Sequence, residues 1–127
     1  LEALPELVQR ISIDVSFISL DLILPRALNW LAHRGEAVAL IKPQFEAGAD
    51  RVGRGGVVRD RITHRDVIRR VLENATVSGW QILGLTRSPL VGPAGNIEFL
   101  AWLGRNTEHP PIAIGDELDA AIGQALD

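Results

Sequence analysis

Several residue types are absent from the sequence, and each absence removes a class of function. The 127 residues include no cysteine, which excludes disulfide bonds, thiolate metal centres and cysteine nucleophiles. No apolar run approaches the roughly 18 residues that a transmembrane helix needs, because Ser16, Ser19 and Asp21 break the longest candidate. No secretory signal peptide is visible at the start of the chain. These absences predict a soluble protein of the cytoplasm.

Methionine is also absent, and the chain begins with Leu1. We therefore expect the sequence to be a processed product or a fragment of a longer protein. Its hydrophobic content of 46% and its charged content of 23% are ordinary for a globular protein. A chain of this length fits one domain and can bury roughly two-thirds of the surface that the extended chain exposes.

Lysine is nearly absent, since arginine supplies 12 of the 13 basic residues and Lys42 is the only lysine. Lys42 ends the apolar run "AVALIK", which begins at Ala37. A lysine at the end of a strand often extends its ammonium group to water, which is one explanation. The other is chemical, because arginine keeps its proton at any working pH whereas a partly buried lysine can lose it. A reaction that needs a positioned ammonium group or an amine base would require lysine here.

The formal net charge is −3, but the basic residues are unevenly distributed. Residues 51–70 contain seven arginines and two aspartates, a local charge of +5, while the rest of the chain carries −8. Such a basic segment on an acidic protein can bind phosphate groups. The alternative is an ordinary solvated loop and helix face. The long loop at residues 43–62 is rich in glycine and arginine, and loops of this length are often functional.

The spacing of apolar residues predicts an α/β fold. Alternating or continuous apolar runs predict strands, and apolar residues three and four positions apart predict helices. The predicted strands are residues 11–17, 36–42, 80–87 and 97–103, and the predicted helices lie near residues 20–31, 63–79 and 114–126. Strands that alternate with helices form parallel sheets, whereas the last two strands, joined by a short turn segment, should pair antiparallel.

Three ionisable residues are expected at one edge of this sheet. Ligands bind outside the carboxyl ends of parallel strands, where Asp14 lies late in the first strand and Lys42 ends the second. The fourth strand runs back, so its beginning, with Glu98, reaches the same edge. Taken singly, each residue has a structural explanation as an edge side chain, a solvated lysine or a partner of an arginine. Their convergence on one edge favours a site.

Four blocks of the sequence resemble the TlyA, or hemolysin A, family of FtsJ-like ribosomal RNA ribose 2′-O-methyltransferases. The blocks are "IDVSFISL" (13–20), "ALIKPQFEAG" (39–48), "VGRGGVVRD" (52–60) and "GNIEFLAWL" (95–103). The resemblance implies the C-terminal half of a Rossmann-like methyltransferase fold, in which parallel strands end in an antiparallel β-hairpin with helices on both faces. It also implies S-adenosylmethionine (SAM) as the methyl donor and ribosomal RNA or ribosomal subunits as the substrate.

The resemblance also implies roles for individual residues. FtsJ-like enzymes use a Lys-Asp-Lys-Glu tetrad, in which Asp14 matches the aspartate, Lys42 the second lysine and Glu98 the glutamate. Lys42 would orient the ribose 2′-hydroxyl and stabilise its developing negative charge or accept its proton, while Asp14 and Glu98 hold the lysines in place. Asp14 would also lie beside the methyl group of SAM. Arg54 and Arg59 are candidates for contacts with RNA phosphates.

The match covers only part of the family pattern. The first tetrad lysine, the glycine-rich SAM loop, the acidic residue for the SAM ribose and the N-terminal RNA-binding domain would all precede Leu1. Residues 1–127 are therefore expected to form a single partial methyltransferase domain that lacks the SAM-binding half and is inactive alone. The first strand would lose its outer neighbour, which predicts self-association through residues 11–17 or coverage of that edge by residues 1–10.

Two other functions stay open at this stage. The family name suggests a hemolysin or cytolysin-type protein, although the sequence shows neither a membrane helix nor barrel-length hairpins. A non-catalytic module that binds RNA or protein is the second alternative. The three histidines, His33, His64 and His109, are isolated and expected at the surface, and the three tryptophans are expected in the core. Neither set predicts a metal site.

Overall fold

A four-stranded sheet organises residues 4–127, which are the residues that the computed structural model describes. The strands are β1 (Val8–Ile13), β2 (Leu31–Ile41), β3 (Gln81–Arg87) and β4 (Phe99–Arg105). The helices are α1 (Leu20–Ala27), α2 (Pro43–Glu46), α3 (Arg61–Ser78) and α4 (Asp116–Leu126), with short 3-10 turns at Ala49–Arg51, Arg54–Gly56 and Pro93–Gly95. Within residues 4–127 none of these helices has the length and apolarity to cross a lipid bilayer.

The sheet order is β1-β2-β4-β3, and it brings four strand ends to one edge. β1 runs parallel to β2, while β4 lies between β2 and β3 and runs antiparallel to both. Ile41 at the end of β2 and Arg87 at the end of β3 both pair with Phe99 at the start of β4. The carboxyl ends of β1, β2 and β3 therefore meet the start of β4 at one edge, which we call the site edge. The predicted α/β fold with a closing antiparallel pair is confirmed.

The helices lie on one face of this sheet. Alternate strand residues, among them Ala39 and Ala101, are fully buried and share one core with residues of α1, α3 and α4. α3 packs against both α1 and α4. The opposite face carries Val38, which is 43% exposed, and Trp102, which is only partly buried. The expected fold class is confirmed, but the prediction that helices cover both faces of the sheet was wrong for residues 4–127.

The path of the chain explains this one-sided packing. The connections from β1 to β2 and from β2 to β3 move in the same direction across the sheet. Crossovers between parallel strands are right-handed in nearly all proteins. Two right-handed crossovers in one direction place α1 and α3 on the same face, and helices reach the other face only where the strand order reverses.

Element boundaries near the site edge differ from the predicted ones. β1 ends at Ile13 instead of residue 17, so Asp14 follows the strand rather than lying within it. α1 ends at Ala27, and Leu31, which fits the apolar stripe of that helix, begins β2 instead. A leucine suits the buried face of either element, so apolar spacing alone does not separate the two.

Capping side chains decide where α1 and α3 begin. Ser19 Oγ accepts a hydrogen bond from the N–H of Asp21 at 3.0 Å, and Asp60 Oδ1 accepts one from the N–H of Ile62 at 3.1 Å. Each satisfies a donor of the first helical turn that has no partner within the helix. α3 therefore begins at Arg61, two residues before the predicted start at residue 63.

β1 forms an edge of the sheet, and within residues 4–127 no strand pairs with its outer side. The predicted cover, residues 1–10, belongs in part to β1 itself, since that strand includes Val8–Arg10, and residues 1–3 lie outside the described part. Self-association through residues 11–17 stays a prediction. Sedimentation of the purified chain measures it, and a monomer at every concentration would contradict it.

Candidate active site

Lys42 and Asp14 meet at the site edge. Lys42 directly follows β2 and Asp14 directly follows β1, so the parallel pairing of these strands brings the two side chains together. The Lys42 ammonium forms an ion pair with the Asp14 carboxylate and donates a hydrogen bond to Ser16 Oγ at 3.2 Å. The Lys42 side chain is 12% exposed and that of Asp14 is 67% exposed. The Lys42 side chain is therefore largely covered, while its carboxylate partner is open to solvent.

Glu98 lies one residue before β4 and is linked to the Lys42 turn through Gln44. Glu98 is 6% exposed, and its carboxylate accepts a hydrogen bond from Gln44 Nε2 at 2.8 Å. The ion pairs found within residues 4–127 do not include Glu98. The three residues expected to meet are thus joined in two steps: Asp14 contacts Lys42, and Glu98 bonds a side chain two residues further along.

The turn after β3 closes over Glu98. Ser88 donates its N–H to the Glu98 carbonyl at 2.8 Å, and Gly92 donates its N–H to the Asn96 carbonyl at 2.7 Å. A Cβ atom on Gly92 would lie 2.6 Å from the carboxyl carbon of Glu98, far closer than an ordinary contact. Space rather than backbone conformation therefore requires glycine here, because its φ of −76° suits any residue.

Glu46, the last residue of α2, fixes the segment after Lys42 to two helices. Its side chain, 3% exposed, accepts hydrogen bonds from Ser19 Oγ at 2.7 Å and from the Leu20 N–H at 2.8 Å. It also accepts one from Arg70 of α3 at 2.7 Å. Burial raises the pKa of Glu46 above its ordinary value, and the bonds from Leu20, Ser19 and Arg70 oppose that rise.

Sequence reasoning missed the roles of Gln44 and Glu46. Both lie in the block "KPQFEAG", two and four residues after Lys42. That spacing beside a singled-out residue was the available signal. Their partners lie 54 and 24 to 27 residues away in the chain, so no local pattern could name them.

The basic segment is mostly neutralised by its neighbours. Five of its seven arginines form ion pairs with carboxylates of the described chain: Arg51 and Arg65 with Asp66, Arg61 with Asp127, Arg69 with Asp119, and Arg70 with Asp21 and Glu46. Arg54 and Arg59 are exposed and make no ion pair within residues 4–127. These two, the ones proposed from the sequence, remain available to a phosphate group.

The ring side chains differ in part from expectation. His64, expected at the surface, is 4% exposed, and its Nε2 lies 2.9 Å from the Val58 carbonyl; the other two histidines are exposed. A histidine on the inner face of a long helix is buried with that face, whatever its polarity. Trp80 is buried as expected, whereas Trp30 and Trp102 are only partly buried. In the part of the chain that the structure describes, no group of three His, Asp or Glu side chains is placed to hold a metal.

Comparison with protein families matches residues 1–105 to the FtsJ-like methyltransferases. The chain belongs to this family. Over 125 residues it is 38% identical to the 16S/23S rRNA (cytidine-2′-O)-methyltransferase TlyA of Mycobacterium tuberculosis, and this match covers 98% of this chain and 46% of that protein. Over 100 residues it is 47% identical to the YqxC protein of Bacillus subtilis, and this match covers 76% of this chain and 36% of that protein.

The fold is shared with a solved structure as well. A protein of Streptococcus thermophilus that carries the name hemolysin matches with a TM-score of 0.82 and 43% sequence identity, over 94% of this chain and 43% of that one. The chain therefore spans less than half the length of these relatives. The resemblance to the TlyA family that the four sequence blocks indicate is confirmed.

Proposed function

We propose that the protein containing these residues transfers a methyl group from SAM to a ribose 2′-hydroxyl of ribosomal RNA. The observation that carries the proposal is the largely covered Lys42 side chain, whose ammonium is paired with Asp14 at the edge where an α/β sheet binds its ligands. Lys42 is the only lysine in a chain that otherwise uses arginine. Membership of the FtsJ-like methyltransferase family and the similarity to TlyA support the reaction class.

Lys42 is suited to act on the attacking hydroxyl group. An ammonium held by Asp14 and Ser16 can donate a hydrogen bond to the 2′-oxygen, orient it for in-line attack and stabilise the negative charge that develops there. As a neutral amine, Lys42 can instead accept the hydroxyl proton, which an arginine cannot do. The hydroxyl proton would pass to solvent in the first case and to the amine in the second, while the methyl group that SAM supplies would leave its sulfur for the oxygen.

Asp14 is the residue of this chain that fits the methyl donor. Its carboxylate is 67% exposed at the site edge, so it can face a positively charged sulfonium while it stays paired with Lys42. When bound, SAM supplies an electrophilic methyl group. The glycine-rich loop that the resemblance implies for the rest of SAM has no counterpart in residues 4–127. Residues 1–127 alone are therefore inactive in this proposal.

Glu98 and two arginines complete the proposed site. Buried carboxylates are usually hydrogen-bonded or paired with a cation; Glu98 has its hydrogen bond from Gln44, and the proposal adds a cation. The first lysine of the family tetrad would supply that cation. Arg54 and Arg59 would bind RNA phosphates and thereby bring the target ribose to the site edge.

Lys42→Arg in the full-length gene product tests the proposal. Transfer of labelled methyl groups from SAM to purified ribosomal subunits should fall at least about 100-fold, because a positioned acid–base group contributes that much or more. Binding to the subunits and the urea midpoint should stay near the wild-type values. Arg69→Lys, which alters an exposed ion pair with Asp119, is the matched control. Wild-type methylation by the Lys42 variant would refute the role proposed for Lys42. Absence of methyl transfer by the unmodified full-length gene product would overturn the proposed reaction in favour of a non-catalytic binding module.

The proposed inactivity of residues 1–127 has its own test. The chain expressed alone should transfer no methyl groups to ribosomal subunits in the assay that detects transfer by the full-length gene product. Methyl transfer by this segment would show that the missing SAM-binding groups are not needed, and it would contradict that part of the proposal.

A further inference from the structure

Asn96 bonds two loops of the site edge that are far apart in sequence. The residue is 2% exposed. Its Oδ1 accepts a hydrogen bond from the Val58 N–H at 2.9 Å. Its Nδ2 donates to the Gly56 carbonyl and to the Pro93 carbonyl, each at 3.0 Å. Both amide hydrogens and the amide oxygen are thus used, and all three bonds go to backbone groups.

The two loops carry different parts of the proposed site. On one side lies the arginine loop, residues 53–59, which holds Arg54 and Arg59. On the other side, Asn96 stands two residues before Glu98 in the chain. Its carbonyl accepts the N–H of Gly92, the residue that lies against the Glu98 carboxylate. Asn96 therefore connects the candidate phosphate-binding groups to the buried carboxylate.

The arginine loop has few other polar attachments to the domain. Gly55 and Gly56 adopt φ values of +77° and +76°, a left-handed conformation that glycine alone adopts readily. Within residues 4–127, hydrogen bonds from side chains to the backbone of this loop come from two residues, His64 and Asn96. Of these, Asn96 is the one that joins the loop to the segment before β4, which carries Glu98.

We propose that Asn96 is a positioning residue for RNA. It holds the arginine loop in a fixed relation to Glu98, so that a phosphate bound by Arg54 and Arg59 sets the position of the neighbouring ribose at the site edge. The inference rests on the proposed function for its biological meaning. Its physical content, the coupling of two loops, is measurable without methyl transfer.

Asn96→Asp in the full-length gene product is the sharpest test. The change keeps the size of the side chain and the acceptor for Val58, but it replaces the donor to Gly56 and Pro93 by a carboxylate oxygen. Asn106→Asp is the matched control, because Asn106 Nδ2 also donates to a backbone carbonyl, that of His33 at 2.7 Å, and the residue is exposed beyond the far end of β4.

The readout is the affinity for an unmodified ribosomal RNA transcript, measured across a series of salt concentrations. Affinity falls with salt, and loss of two phosphate contacts should make the slope of log affinity against log salt less steep by about 1.5. We also expect the affinity to fall about tenfold near physiological salt. The Asn96 variant and the double variant Arg54→Gln, Arg59→Gln should show this same change. Adding the Asn96 change to the double variant should cause no further loss. The KM for RNA should rise more than kcat falls.

Two results would overturn the inference: a wild-type salt slope for Asn96→Asp, or a loss of affinity that adds in full to that of the arginine variants. If the aspartate variant does not fold, Asn96→Ser makes the same test with a smaller, neutral side chain. A wild-type protein that binds RNA but transfers no methyl group would refute the proposed function and leave this test intact. Normal methylation together with an unaffected Asn96 variant would refute only the positioning role.

Discussion

Replacement of Gly92 by alanine is expected to damage the site without straining the backbone. The φ of Gly92 is −76°, which alanine adopts freely. The new Cβ would lie 2.6 Å from the Glu98 carboxyl carbon and 3.2 Å from its Oε1, whereas ordinary contacts begin at 3.4 Å. Glu98 must therefore move by about 1 Å, or the turn must lift away by the same distance, because a packed interior has no free space for the methyl group.

The cost of that movement follows from the surroundings of Glu98. Its carboxylate is buried and holds a 2.8 Å hydrogen bond with Gln44, and a displacement of about 1 Å would break that bond. Overpacking of this kind lowers the free energy of unfolding by about 1–3 kcal/mol. A misplacement of about 1 Å can lower a reaction rate about 100-fold. We expect both losses for Gly92→Ala in the full-length gene product, measured by urea unfolding and by methyl transfer to ribosomal subunits.

Gly123→Ala is the matched control for this experiment. Gly123 lies inside α4, and a Cβ there would meet no atom within 4 Å. Alanine in the helix should raise the free energy of unfolding by about 0.5–1 kcal/mol and leave methyl transfer unchanged. Wild-type methylation by Gly92→Ala, with a stability equal to that of the unmodified protein, would refute the argument that space around Glu98 sets the geometry of the site.

Three further substitutions test the electrostatics and the core. Because the pKa of Glu46 is raised in the folded protein, the stability of the wild type relative to Glu46→Gln should be greatest below about pH 4.5 and should decline as the pH rises through the folded-state pKa. Urea unfolding at a series of pH values measures this difference in stability. A difference that grows with pH would contradict the argument. Hydrogen bonds from the Thr63 hydroxyl and from a backbone N–H lower the pKa of Asp60. The wild type should therefore be more stable than Asp60→Asn above about pH 3.8, and this extra stability should be lost as the pH falls through the folded-state pKa. Urea unfolding at the same series of pH values measures it. Trp80→Phe leaves the Leu24 carbonyl without its 2.9 Å donor and should lower the free energy of unfolding by about 1–3 kcal/mol; a urea midpoint equal to the wild type would be inconsistent with that bond.

Features set by local pattern could be predicted from the sequence. The apolar run that ends at Lys42 gave the end of β2 to within one residue, and the stripe ending near Gly79 gave the end of α3. The beginning of β2 and the end of α1 could not be placed, because Leu31 suits a helix stripe and a buried strand equally well. The number of covered faces was also missed, since it depends on the direction in which successive crossovers move, and not on any one element.

In the candidate site, contacts set by strand ends could be predicted from the sequence, whereas long-range polar bonds could not. The pairing of Asp14 with Lys42 follows from two parallel strands that end side by side. The partner of Glu98 is an uncharged amide, Gln44, 54 residues away, and Asn96 reaches across 38 residues to Val58. Amide side chains leave no mark in charge or apolar spacing, so only coordinates reveal these bonds.

One short segment after β2 unites most of these contacts. Lys42, Gln44 and Glu46 are spaced two residues apart, and each bonds a different part of the domain: Asp14 after β1, Glu98 before β4, and the helices α1 and α3. Gln44 and Glu46 lie in α2, which has four residues and begins with a proline whose ring fixes its φ angle, and this restrains the backbone that follows Lys42. A lysine that merely extended to water would not need such restraint on its backbone. The restraint fits the proposed reaction, in which the amine of Lys42 must meet an oxygen atom at a defined distance.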